Sequence, residues 1–103
     1  MAAFFMPSIE TQISDFLAHL KFEKRYSPHT IKSYGEDLAQ FALFLEEQQG
    51  DPAITEIRAL YIKGWMAMLA EKGIEPRSIN RKLSCLKSFF KHLQRRSIIQ
   101  VNP

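Results

Sequence analysis

From Arg77 to Arg96 the sequence places seven cations, Arg77, Arg81, Lys82, Lys87, Lys91, Arg95 and Arg96, among serines and an asparagine, with no carboxylate. The chain has a net charge of +3, so with +7 in this one stretch everything outside it sums to −4. An arginine can fork onto a phosphate or a guanine edge, and Ser and Asn donate to phosphates or read bases. Such a set suits a polyanion. The ordinary alternative is a solvated helix face, but those faces usually mix signs in Glu–Lys pairs. Twenty residues without an acid, in a chain that holds 11 of them, favour nucleic acid.

Other chemistries find no residues to carry them. No metal-binding constellation is read at His19, His29 or His92. The four glycines stand singly, which excludes a phosphate-cradling loop, and no Ser/His/Asp grouping can be drawn. Tyr26, Tyr34 and Tyr61 fall at or near apolar stripes and are expected to pack. The single cysteine, Cys85, lies at the flank of an apolar stripe, where a small half-buried thiol is expected rather than a nucleophile. No cofactor is called for, and the chain is expected to bind rather than to catalyse.

The basic stretch must sit on a helix. Ile79, Leu83, Leu86, Phe90 and Leu93 recur at helical period, with Phe89 beside them. Winding residues 76–96 puts Arg77, Asn80, Arg81, Ser84, Lys87, Ser88, Lys91 and Arg95 on the opposite side, with Lys82 at the edge of the apolar stripe, where it can snorkel. Three more helices precede it. Ser8 is a plausible cap for a first helix over about 9–23, with an apolar stripe at Ile9, Ile13, Phe16, Leu17 and Leu20. Ser27-Pro28 marks the start of a second, over about 28–48, with Ile31, Tyr34, Leu38, Phe41, Ala42 and Leu45 facing inward. Its first turns expose His29, Lys32 and Ser33, followed by Glu36 and Asp37. A third helix is expected to open at Ile54-Thr55-Glu56 with Thr55 as its cap, to turn Ile57, Leu60, Tyr61, Trp65, Met68 and Leu69 inward, and to end at Gly73. Gly35 and Gly64, on apolar stripes, suggest close helix approach. Residues 1–7 read as a loose tail whose Phe4, Phe5 and Met6 can fold back on the core, and residues 97–103 read as extended. The fold class is all-α, a compact four-helix bundle with short connections.

At 103 residues this is one domain, and eight Phe and one Trp suffice for a core. One cysteine forms no internal disulfide, no stretch has the length of a membrane span, and the opening has no basic region preceding an apolar run. A cytoplasmic protein without a membrane partner is expected.

Two stretches carry a family resemblance. Ser27-Pro28-His29-Thr30-Ile31-Lys32-Ser33-Tyr34, followed by Asp37-Leu38 and Phe41, resembles the opening signature of the tyrosine recombinases (phage integrases), in their N-terminal core-binding, SAM-like domain. Pro76-Arg77-Ser78-Ile79-Asn80-Arg81-Lys82-Leu83-Ser84, then Leu86-Lys87-Ser88-Phe89-Phe90 and Leu93, resembles that domain's fourth helix. Asn102-Pro103 resembles its exit into the catalytic domain. Within the family the layout looks most like the bacterial Xer proteins that resolve chromosome dimers.

The resemblance implies a four-helix bundle that joins its own C-terminal catalytic domain in clamping double-stranded DNA at a recombination site, beside other recombinase protomers. Helices 2 and 4 would face the major groove. Carried over residue by residue, the DNA-binding candidates are Thr30, Lys32 and Ser33 on helix 2, and Arg77, Asn80, Arg81, Ser84, Lys87, Ser88 and Lys91 on helix 4. Tyr34, Leu38, Leu83, Leu86 and Phe90 would be shared core. The family's phosphoryl transfer uses a tyrosine nucleophile and charged groups of the C-terminal domain, outside this sequence, so this chain is expected not to cut DNA. His92-Leu-Gln-Arg95 spells the family's His-x-x-Arg spacing but falls in the DNA-facing helix and is not read as the catalytic box. Glu75, where Ser or Thr would cap better, and Gly35 inside a helix depart from expectation. Glu36 and Asp37 are expected to lower the positive potential of helix 2. A helical protein-interaction module using helix 1 and the aromatic tail is the main alternative. A helix-turn-helix regulator is disfavoured by the length of helices 2 and 3.

Overall fold

A computed structural model describes residues 8–103, so the reading of Phe4, Phe5 and Met6 lies outside the described residues. Four helices follow in order: α1 (Ile9–Phe22), α2 (Pro28–Gln48), α3 (Ala59–Glu71) and α4 (Pro76–Arg95). No strand occurs among the described residues.

The termini follow from side chains that the sequence advertises. Ser8 Oγ accepts from the Thr11 N–H at 3.1 Å, and Ser27 Oγ accepts from the Thr30 N–H at 3.2 Å ahead of Pro28. Both satisfy backbone donors that a helix start leaves open. Gly73 closes α3 at φ 83°, a left-handed conformation that costs glycine little. Its N–H donates to Ala70 O and that of Ile74 to Leu69 O, both at 3.0 Å, which is the Schellman pattern. Ser97 does the same after α4 at φ 59°, with the Ile98 N–H donating to Leu93 O at 2.9 Å.

The helices meet over an aromatic core. Phe41 of α2 lies 5.2 Å from Trp65 of α3 and 6.3 Å, edge-on, from Phe90 of α4. Phe16 of α1 meets Phe89 of α4 at 5.5 Å, also edge-on, an arrangement that aromatic quadrupoles favour. Of the expected shared core, Leu38, Leu86 and Phe90 are buried, while Tyr34 and Leu83 are half-buried. A Cβ on Gly35 would stand 3.3 Å from Leu17 Cδ1, so α1 does approach α2 closely there. At Gly64 the nearest atom would be Phe44 Cζ at 3.6 Å, an ordinary contact, so packing does not demand glycine at that position.

The third helix departs from expectation. Thr55 does not cap it. Ile54–Glu56 is a separate 3₁₀ turn, Ile57 and Arg58 are extended, and α3 begins at Ala59. Ile54 and Ile57 still enter the core, but from non-helical backbone, and extended geometry suits the β-branched Ile57. The helix that follows is therefore rotated relative to a continuous one. Leu60 points outward at 70% exposure, and Ile62 and Met66 pack against the core. The closing segment is a series of turns and bends, pinned by buried Ile99 and by Gln94 Nε2 donating to Gln100 O at 3.2 Å.

Candidate nucleic-acid interface

The α4 candidates share one helix face. Arg77, Asn80, Arg81, Ser84, Lys87, Ser88 and Lys91 are all exposed, while Cys85, Leu86, Phe89, Phe90 and Leu93 are buried on the other side. On α2, Lys32 is exposed and Thr30 and Ser33 are half-buried. The Thr30 side chain is partly committed to the helix start, since its Oγ1 lies 2.9 Å from Ser27 Oγ. Helices α2 and α4 cross at residues 34–40 and 81–85: Cys85 Sγ contacts Tyr34 O at 3.7 Å, and Lys82 Nζ donates to Gln40 Oε1 at 2.8 Å. The crossing sets the first turns of α2, which carry Lys32 and Ser33, beside the middle of α4.

Two charges are not where the sequence reading put them. Lys82 does not snorkel to solvent. Its side chain is 8% exposed, and its Nζ donates to Asp37 Oδ1 at 2.8 Å. Asp37 is not a surface acid that weakens α2's potential. It is 1% exposed, and the same oxygen also accepts from Arg81 Nη2 at 3.1 Å. Buried charges persist only when paired and hydrogen-bonded, and here the partners lie on different helices. A signal was available: Asp37 falls on the stripe of Tyr34, Leu38 and Phe41, and Lys82 on that of Ile79, Leu86 and Phe89. A lone acid on one apolar face and a lone base on another mark a buried pair. Of the seven cations on 77–96, Arg77, Lys87, Lys91 and Arg95 have no ion-pair partner among the described residues, whereas Arg96 Nε pairs with Asp15 at 3.3 Å.

Cys85 and His92 are sequestered. Cys85 is fully buried, and burial, reinforced by the Asp37 charge, pushes its thiol up to about 12, so it stays protonated and inert. Among the described residues no group of three or more His, Cys, Asp or Glu could hold a metal ion. His92 is 7% exposed and turned toward α1, with its ring 5.2 Å from Phe16 and 4.8 Å from His19. The His-x-x-Arg spacing therefore splits between an interior histidine and an exposed Arg95.

Burial, and then His19, hold the His92 pKa below its ordinary value, and Asp15, whose Oδ2 lies 3.7 Å from Nε2, opposes them without cancelling them. Arg96 adds to the depression. Because the unfolded chain takes up this proton first, the contribution of His92 to stability is complete above the ordinary histidine value of 6.5 and shrinks as pH falls below it. Chemical unfolding across a pH series is expected to show this acid loss, and His92→Leu to flatten it. An unchanged slope in that variant would assign the acid sensitivity elsewhere.

Fold and face together define an all-helical domain with one acid-free basic helix surface. The chain matches the family described as phage integrase, N-terminal SAM-like domain, over residues 13–97, and belongs to that family. Its relatives include the tyrosine recombinase XerC of Pelobacter propionicus, 37% identical over 99 residues that cover 95% of this chain and 32% of the relative. The XerC of Leptospira interrogans serovar Lai is 40% identical over 97 residues, 93% of this chain and 30% of the relative. That of Bacillus subtilis is 33% identical over 98 residues, 95% and 32%. The chain thus spans roughly a third of the length of these relatives. No solved structure matches it significantly.

Proposed function

We propose that this chain is the DNA-binding domain of a Xer-like, site-specific tyrosine recombinase. It lays the outward face of α4, with the first turns of α2, against duplex DNA at a recombination site, while the phosphoryl transfer resides in a C-terminal catalytic domain. The observation that carries this reading is the separation of α4 into an aromatic inner face and an outer face of Arg, Lys, Ser and Asn without an acid. Neutralised phosphates release counterions, so affinity should follow the number of cations engaged. Ser84, Ser88 and Asn80, between the cations, suit phosphate or base edges. Partners are the duplex, the catalytic domain and other recombinase protomers. No cofactor is needed for binding. A protein-interaction role on α1 has less support, because Phe22 is the one large apolar residue of α1 among the described residues that is exposed, and single exposed residues are ordinary.

Titration of the domain with duplex DNA across a salt series tests the reading. Three to six phosphate contacts give a log–log slope of about −3 to −5, and Lys87→Ala or Lys91→Ala should each make it shallower by about 0.9 if that lysine meets a phosphate. Absence of binding at about 50 mM salt, both alone and with the catalytic domain restored, would sink the proposal.

A further inference from the structure

Lys82 alone would balance the buried charge of Asp37, yet a second cation reaches the same carboxylate oxygen from the solvent side. Lys82 Nζ donates to Oδ1 at 2.8 Å from the interior, and Arg81 Nη2 donates to it at 3.1 Å. The Lys82 side chain is 8% exposed and cannot reach a large ligand, whereas that of Arg81 is 52% exposed on the outward face of α4. Among the described residues Arg77, Lys87 and Lys91 have no such tether. Arginine offers five N–H donors in a rigid fork, so a single bond to Asp37 restrains the guanidinium at one nitrogen and leaves the other donors free.

We infer that Asp37 is a positioning residue for DNA binding: it holds the Arg81 guanidinium in place at the α2–α4 crossing, ready to fork onto a phosphate or a guanine edge. The inference rests on the reading of α4 as the DNA face. Its physical content is pre-organisation. An untethered long side chain must be immobilised when the complex forms, and a tethered one has already lost that freedom. Asp37 touches no DNA, and its contribution passes entirely through Arg81.

The test is a double-mutant cycle read by equilibrium binding to a fluorescently labelled random-sequence duplex. The four proteins are the wild type, Arg81→Ala, the paired swap Asp37→Leu with Lys82→Met, and the triple variant. The swap removes one charge of each sign, so net charge is kept and the long-range field on DNA is little altered. Filling the site with apolar residues of similar volume preserves the fold, and circular-dichroism melts set a temperature at which all four are folded. With Arg81 present the swap should weaken binding about 3- to 10-fold, the cost of immobilising one such side chain. With Ala at 81 it should act within about twofold. Equal losses in both backgrounds overturn the positioning role while leaving the DNA reading intact. A wild type that binds neither alone nor with the catalytic domain restored overturns the DNA reading itself. A second readout needs no DNA: rotation of the Arg81 guanidinium, followed by NMR at its Nε–H, should be slowed in the wild type and freed by the swap. Equal mobility in both overturns the tether.

Discussion

Asp37→Ala is expected to lower the unfolding free energy by about 3–5 kcal/mol, the usual cost of leaving one member of a buried ion pair without its partner. That is a large share of the 5–15 kcal/mol that typically holds a domain together (roughly). The loss falls on Lys82, whose side chain, 8% exposed, would keep only Gln40 Oε1 as acceptor. Arg81 contributes the smaller part, since its side chain is half in water and an ion pair there is worth up to about 1 kcal/mol. The paired swap Asp37→Leu with Lys82→Met should be near neutral or stabilising by comparison. Urea unfolding followed at constant m resolves the two cases. If Asp37→Ala and the paired swap lose the same stability, packing at the crossing, and not charge pairing, is what Asp37 supplies.

The same pair shows where sequence reading stops. Helix α2 was legible because Ser27 and Pro28 mark its start and Leu38, Phe41 and Leu45 repeat at helical period; periodicity and caps are local. The outward face of α4 was legible for the same reason, since Arg77, Asn80, Arg81, Ser84, Lys87, Ser88 and Lys91 all emerge exposed. Lys82 and Asp37 were marked only by lying on apolar stripes, and periodicity alone could not pair them, because what decides their burial is a partner 45 residues away in sequence. An isolated charge is expected at the surface until its counter-charge is placed on a facing helix. Helix α3 failed differently. Ile54 and Ile57 fit a helical stripe as well as they fit a 3₁₀ turn followed by extended residues, since both bury residues three apart. Only the packing against the other helices chooses, and with that choice Leu60 moved from core to surface. Cys85, expected to be half-buried, is wholly enclosed because α2 crosses directly over it at Tyr34.

Phe41→Ala should cost about 3–5 kcal/mol and leave the proposed DNA face of α4 intact. The ring is fully buried and lies 6.5 Å from Phe44, 5.2 Å from Trp65 and 6.3 Å from Phe90, so its removal opens a cavity shared by α2, α3 and α4. Close packing forbids easy collapse of such a space. Trp65 is the only tryptophan and touches the cavity, so its fluorescence reports both the local change and the unfolding transition. Lys91→Ala is the reciprocal experiment. Lys91 follows Phe90 in sequence but points about 100° away around the helix, and a surface substitution of this kind should move stability by no more than about 0.5 kcal/mol. At a temperature where both variants are folded, Phe41→Ala should keep the wild-type salt slope for duplex binding, and Lys91→Ala should make it shallower at unchanged urea midpoint. If Phe41→Ala alters the slope while still folded, the geometry of the α4 face depends on the aromatic core beneath it, and the two faces of the helix are not independent.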